Sequence, residues 1–346
     1  MAWRDRYLTS LVLLGVLSGC LPTGGGRCDF ESKPVPVTGV QTFSQALVGV
    51  SKVLVLDNQP GELIWLTQFS ALAYEKGKES PSPQLLGESS LRFARPERHQ
   101  QLLEVDWPSF EAVFGAAAGA AATRLPKGFG VPMLSNEPLT FQAGVVNFDA
   151  YQKATQVSVK GQLDFVRQRG LKQPMKPLLV RTLRALTALE PSAPVYGQWT
   201  TPGPLWPRPV SPETGEVTDP FGQRFQTFWT VSPGSAIATH RSEVTYALQL
   251  TRDTRLHHAT AVVDPSVRSM RLVDQGGEVL ALKALEAGDG DWEFTGFSSA
   301  EGVLLRADQR YFLELDCRPA KKGPVQASGR LYVYLEDAAF RWPLDD

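Results

Sequence analysis

The clearest pattern in the chain is a period of two in its last hundred residues. In "EVTYALQL" the apolar positions Val244, Tyr246, Leu248 and Leu250 alternate with others, and "YFLELDC" repeats this with Tyr311, Leu313, Leu315 and Cys317. "RLYVYLE" does the same with Leu331, Val333 and Leu335. Alternation places such side chains on one face of a strand and predicts half-buried β-structure. Between these runs lie "ATAVVD", "SMRLVD", "EVLALKAL", "DWEFTG" and "GVLLRA", separated by turn-rich pieces such as Asp264-Pro265-Ser266 and Asp274-Gln275-Gly276-Gly277. About eight short strands at this spacing predict a β-sandwich over residues 241–346, jelly-roll or Ig-like.

Residues 37–190 carry a mixed pattern. "KVLVLD" (52–57) and "ELIWL" (62–66) flank the turn-forming Asn58-Gln59-Pro60-Gly61 and read as two strands of a hairpin. "SFEAVFGAAAGAAATR" after Pro108 has the alanine content of a helix, with Gly115 and Gly119 on a small-residue face for close packing. "PLLVRTLRALTALE" opens with Pro177 at a favoured first-turn position and repeats leucine at 179, 183, 186 and 189, which predicts an amphipathic helix. "LTFQAGVVNF" and "ATQVSVKGQL" predict further strands. The expected fold is therefore an α+β N-terminal domain followed by an all-β C-terminal sandwich.

Between the two, residues 191–240 read as a linker. Eight prolines fall within the thirty residues Pro191 to Pro220, where helices cannot run and strands lose donors. The same stretch is rich in aromatics, and Trp199, Trp206, Phe228 and Trp229 are the candidates for binding a protein or glycan partner. Gluing the linker onto both domains is the alternative use of those rings.

At the start of the chain, Arg4 and Arg6 precede the apolar block Leu11 to Leu17, which is too short to cross a bilayer as a stable helix and reads as a secretion signal. Leu17-Ser18-Gly19-Cys20 follows it, and here the chain resembles bacterial lipoprotein precursors. The resemblance implies removal of residues 1–19, lipidation of Cys20, and a lipid bilayer as a partner through the acylated cysteine. Leu21, where an aspartate would signal inner-membrane retention in many bacteria, points to an outer-membrane location. Residues 20–36, with "PTGGGR" and "SKPVPV", then form a flexible lipidated tether.

Loss of residues 1–19 removes two of 35 basic and one of 36 acidic residues, leaving 33 and 35 and a formal net charge of −2. No basic stripe exceeds the pair Lys321-Lys322, so nucleic acid is not an expected partner. Once Cys20 is lipidated, Cys28 and Cys317 remain as a disulfide candidate in an oxidising compartment, with a buried free thiol as the alternative at Cys317. A bond between them would hold the C-terminal sandwich beside the anchor and turn the first domain outward.

The run "YALQLTRDTRLHHATAVVD…MRLVDQGGEVLAL…GVLLRADQRYFLELDC" is similar to bacterial pre-peptidase C-terminal domains, jelly-roll-like sandwiches with a D-x-x-G turn after one strand and an aromatic residue opening a late one. Asp274 with Gly277, and Tyr311 with Phe312, occupy those places over residues 241–336; Asp308-Gln309-Arg310 stands where that family has a glycine. The resemblance implies an accessory module.

Catalytic chemistry is thinly represented. "GESSL" and "GFSSA" lack the second glycine of a nucleophile elbow, and Ser235 lies five residues from His240 with nothing further to mark it. The histidines are at 99, 240, 257 and 258, without a zinc motif; the adjacent His257 and His258 are expected on opposite faces of one strand. "EAGDGDWE" gathers Glu286, Asp289, Asp291 and Glu293 as hard oxygen ligands, making calcium the one candidate cofactor. The expected function is a non-catalytic cell-envelope lipoprotein that binds or scaffolds a protein or glycan. A ligand-capturing lipoprotein for a transporter, or an envelope hydrolase with the sandwich as an accessory module, stands as the alternative.

Overall fold

A computed structural model describes residues 25–37, 48–56, 61–103, 112–146, 155–189, 216–218, 224–233, 237–264, 266–287, 291–318 and 325–341. The signal segment, Cys20, Trp199, Trp206, Ser235 and Asp289 lie outside them.

The expected α+β N-terminal domain is not what forms: the molecule is nearly all-β. Its described helices are Pro96–Leu103, the one-turn Thr245–Leu248 and short 3-10 turns. Strands Gly25–Glu31, Thr155–Arg167, Leu63–Glu75 and Phe129–Leu134 make one large antiparallel sheet. Against it lies a four-stranded sheet in the order Val48–Leu54, Leu139–Val145, Leu86–Phe93, Phe114–Ala117. Their inner faces meet in a core rich in aromatic rings, among them Phe30, Phe69, Phe114 and Phe141. The second sandwich pairs Lys176–Arg184, Val325–Glu336, Thr254–Val263 and Phe297–Leu305 in one sheet. Its other sheet runs Ala238–Glu243, Phe312–Cys317, Val267–Val273, Glu278–Ala287 and Asp291–Phe294, and leucine and valine fill the core between the two.

Four sequence expectations change. The "hairpin" of 52–66 is split, because Val48–Leu54 and Leu63–Glu75 belong to the two opposed sheets of the first sandwich and do not pair. The alanine-rich segment is strand Phe114–Ala117, a turn through Gly119 at φ 78°, and strand Ala122–Arg124. The leucine-repeat segment is strand Lys176–Arg184, not a helix. "EVTYALQL" is the end of a strand followed by the turn of helix Thr245–Leu248, closed by Gln249 at φ 50°. In each case tertiary burial overrides local preference.

The large sheets of the two sandwiches are continuous. Lys176 and Pro177 pair in parallel with Phe129 and Gly130, joining them edge to edge. The small sheet of the first sandwich extends past this join, and its edge strand Phe114–Ala117 lies over the outer face of the second sandwich. Strand Val325–Glu336 is consequently buried on both sides: Leu331, Val333 and Leu335 enter the second core, Tyr332 and Tyr334 the first. Tyr334 donates its hydroxyl to the Val113 carbonyl at 3.2 Å, and Arg330 pairs with Glu88 across the seam. Strands buried on both faces read as continuous apolar runs, which hides their period. Strand Lys176–Arg184 serves both cores, with Leu178 and Val180 in the first and Leu183 in the second.

The Cys28–Cys317 disulfide is also corrected. Cys28 packs in the first core opposite Leu163, and Cys317 packs in the second opposite Ala238. Each is buried in a different hydrophobic layer and no bond joins them, so the orientation deduced from that bond falls with it. Burial, reinforced by Asp264 and Asp316, pushes the Cys317 thiol up to about 12.

Candidate functional site at the junction of the sandwiches

Strand Thr254–Val263 contains a β-bulge at His257. Leu256 pairs with Leu335 and His258 with Tyr334, so one extra residue stands against the neighbour on that side. On the other side, Leu256 pairs with Val303 and His258 with Ser298, leaving His257 opposite the segment 299–302. A bulge re-aims a side chain that strict alternation would send elsewhere. The expectation of opposite faces is therefore overturned: His257 meets Phe129 at a ring distance of 4.3 Å and His258 meets Tyr334 at 5.2 Å, both rings of the first sandwich's side.

The two histidines face different environments along that seam. His258 is sealed, neither ring nitrogen has a hydrogen-bond partner, and burial lowers its pKa to about 4. His257 is equally buried but reaches an open cleft of about 520 Å³, lined by Lys176, Arg255, His257, Ala300, Glu301 and Glu336. Four strands supply these residues. Lys176 opens the joining strand, Arg255 precedes the bulge, Ala300 and Glu301 come from the edge strand Phe297–Leu305, and Glu336 ends Val325–Glu336.

Local contacts orient the imidazole. Its Nδ1 lies 3.1 Å from the Ser299 carbonyl, to which it donates. Gly302, at φ 68°, closes this turn; a Cβ there would stand 2.9 Å from the His257 ring, so glycine is what lets the segment fold over it. The Gly302 N–H donates to Ser299 Oγ at 3.1 Å. On the far side, His257 Nε2 lies 3.6 Å from Glu336 Oε2, too far for a hydrogen bond. Arg255 Nη1 donates to the Glu301 carbonyl at 3.0 Å, and the Lys176 ammonium sits 5.3 Å from the Phe129 ring centroid.

Other polar constellations are engaged within the fold. His240 Nε2 lies 3.1 Å from Ser242 Oγ, but that hydroxyl accepts from the Leu186 N–H and donates to the Leu186 carbonyl, both at 2.8 Å. His240 also stacks on Trp229 at 4.5 Å, and burial lowers its pKa against the Leu186 carbonyl bond. His99 and Glu137 form a buried pair at 3.2 Å that ties helix Pro96–Leu103 to the turn after Leu134, with Glu137 Oε2 accepting the Leu134 N–H at 2.7 Å. Asp264, accepting the Ser328 hydroxyl at 2.6 Å, is raised by burial to about 6.

The remaining residues singled out in the sequence take the following places. Trp229 and Phe228 lie half-buried on strand Phe228–Val231, with Trp229 packed against the second core. Of the calcium candidates, Glu286 pairs with Trp292, Asp291 with Ala287 and Glu293 with Leu285 along one β-ribbon. Among the described residues no three His, Cys, Asp or Glu are grouped to hold a metal. The Asp274 carboxylate accepts the Gly276 and Gly277 N–H groups at 2.7 and 3.0 Å, and the Tyr311 hydroxyl bonds the backbone of Arg306. His257 as a site residue was not legible: nothing in "RLHHAT" marks a bulge.

No family model matches the chain, and no curated protein matches it. Three solved structures are similar at a low level. A cowpea mosaic virus top component, a naturally occurring empty particle, shares 9% identity over 97% of this chain and 96% of its own, with a TM-score of 0.33. A peptide-N(4)-(N-acetyl-β-D-glucosaminyl) asparagine amidase shares 7% over 89% and 98%, at 0.30. The PBSX exported protein XepA shares 10% over 89% and 86%, at 0.19. At these scores none assigns a function or a ligand to this chain.

Proposed function

We propose that this chain is a lipid-anchored binding protein of a bacterial cell envelope, with the junction cleft as its recognition site. The observation that carries the reading is the cleft of about 520 Å³ at which charged residues of four strands, Lys176, Arg255, Glu301 and Glu336, meet beside the buried His257. The four lining strands are hydrogen-bonded neighbours in one sheet, which fixes the positions of the lining residues; this is what a recognition site needs.

The anchor rests on Leu17-Ser18-Gly19-Cys20. Four residues separate Cys20 from the first strand, Gly25–Glu31, so the five Cα–Cα steps span at most about 18 Å. A lipidated Cys20 would hold the start of that strand near the bilayer. The test is Cys20→Ala followed by fatty-acid labelling and membrane fractionation. Loss of both label and membrane pelleting is the expected outcome; a variant that keeps its label removes the anchor from the proposal.

A further inference from the structure

We draw no further inference here: the strongest candidate, the outer edge of strand Phe297–Leu305, which ends the path of the joined sheet and holds Leu304 49% exposed, carries nothing because no feature among the described residues shows what would cover it.

Discussion

The two edge strands of the four-stranded sheet have opposite fates. Val48–Leu54 alternates in the usual way, with Val50 and Leu54 inside, Gly49 outside and Val53 46% exposed. At the other edge all of Phe114–Ala117 is buried, because the second sandwich occupies what would be its solvent side. An edge strand left open is a liability that charge and irregularity normally blunt; an edge strand covered by another layer has to be small instead. Gly115 shows this most directly, since a Cβ there would stand 2.3 Å from the Tyr332 ring, whereas a Cβ on Gly49 meets nothing within 4 Å. The same residue type thus serves opposite ends of one sheet for unrelated reasons.

The largest predicted effect breaks that contrast. Gly115→Ala should cost about 3 kcal/mol, because Tyr332 is buried and its ring has no room to move, while Gly49→Ala should gain about 0.5–1 kcal/mol by removing glycine's excess chain entropy. Urea unfolding of both variants gives the signs. Combining Gly115→Ala with Tyr332→Leu should recover much of the loss as a favourable coupling. If Gly115→Ala is as mild as Gly49→Ala, the covered edge is packed more loosely than its distances indicate.

A second consequence of covering that face is electrostatic, of similar size but self-cancelling. His258, lowered to about 4, binds fewer protons when folded than when unfolded, so its contribution to stability rises with pH between about 4 and 6.5. Asp264, raised to about 6, binds more protons when folded, so its contribution falls with rising pH between about 4 and 6. Each is worth about 3 kcal/mol across its window. The wild-type chain should consequently show little net slope from this pair. Asp264→Asn should uncover a rise in stability with pH, and His258→Phe a fall, measured as urea midpoints at pH 4, 5, 6 and 7. Parallel profiles for both variants would show that the seam admits water.

The smallest effect belongs to a face that is partly exposed among the described residues. On the outer side of the five-stranded sheet Arg241 lies 3.4 Å from Glu314, and Arg271 lies 3.3 Å from Glu314 and 3.4 Å from Asp316. These pairs are partly exposed and screened, so Arg241→Ala should cost less than about 1 kcal/mol even with its contact over Phe312. A larger loss, comparable to Gly115→Ala, would place the ladder in an interface.

Legibility followed burial. Where one face is wet, alternation was enough: Tyr311, Leu313, Leu315 and Cys317 are all buried as their spacing predicts. The strands expected in "LTFQAGVVNF" and "ATQVSVKGQL" form as Leu139–Val145 and Thr155–Arg167. In Lys176–Arg184 both faces are buried, so apolar residues fill both registers and a chance leucine period resembles a helix. In Phe114–Ala117 small residues chosen for Tyr332 resemble good helix formers. The linker reading of 191–240 overlooked Phe228–Val231, whose partner strand lies a hundred residues further on.

By itself, then, the sequence determined the one-sided strands and their turns, the Asp274–Gly277 turn among them, because each depends only on neighbours within a few residues. The tertiary structure alone decided that the chain's two large sheets join, that one small sheet covers the seam, and that His257 leaves the strand's alternation to face the cleft. Those outcomes depend on pairings such as Lys176 with Phe129 and Leu256 with Leu335, between residues distant in the chain. A local pattern records which side of a strand is apolar; it does not record which layer will arrive to bury the other side.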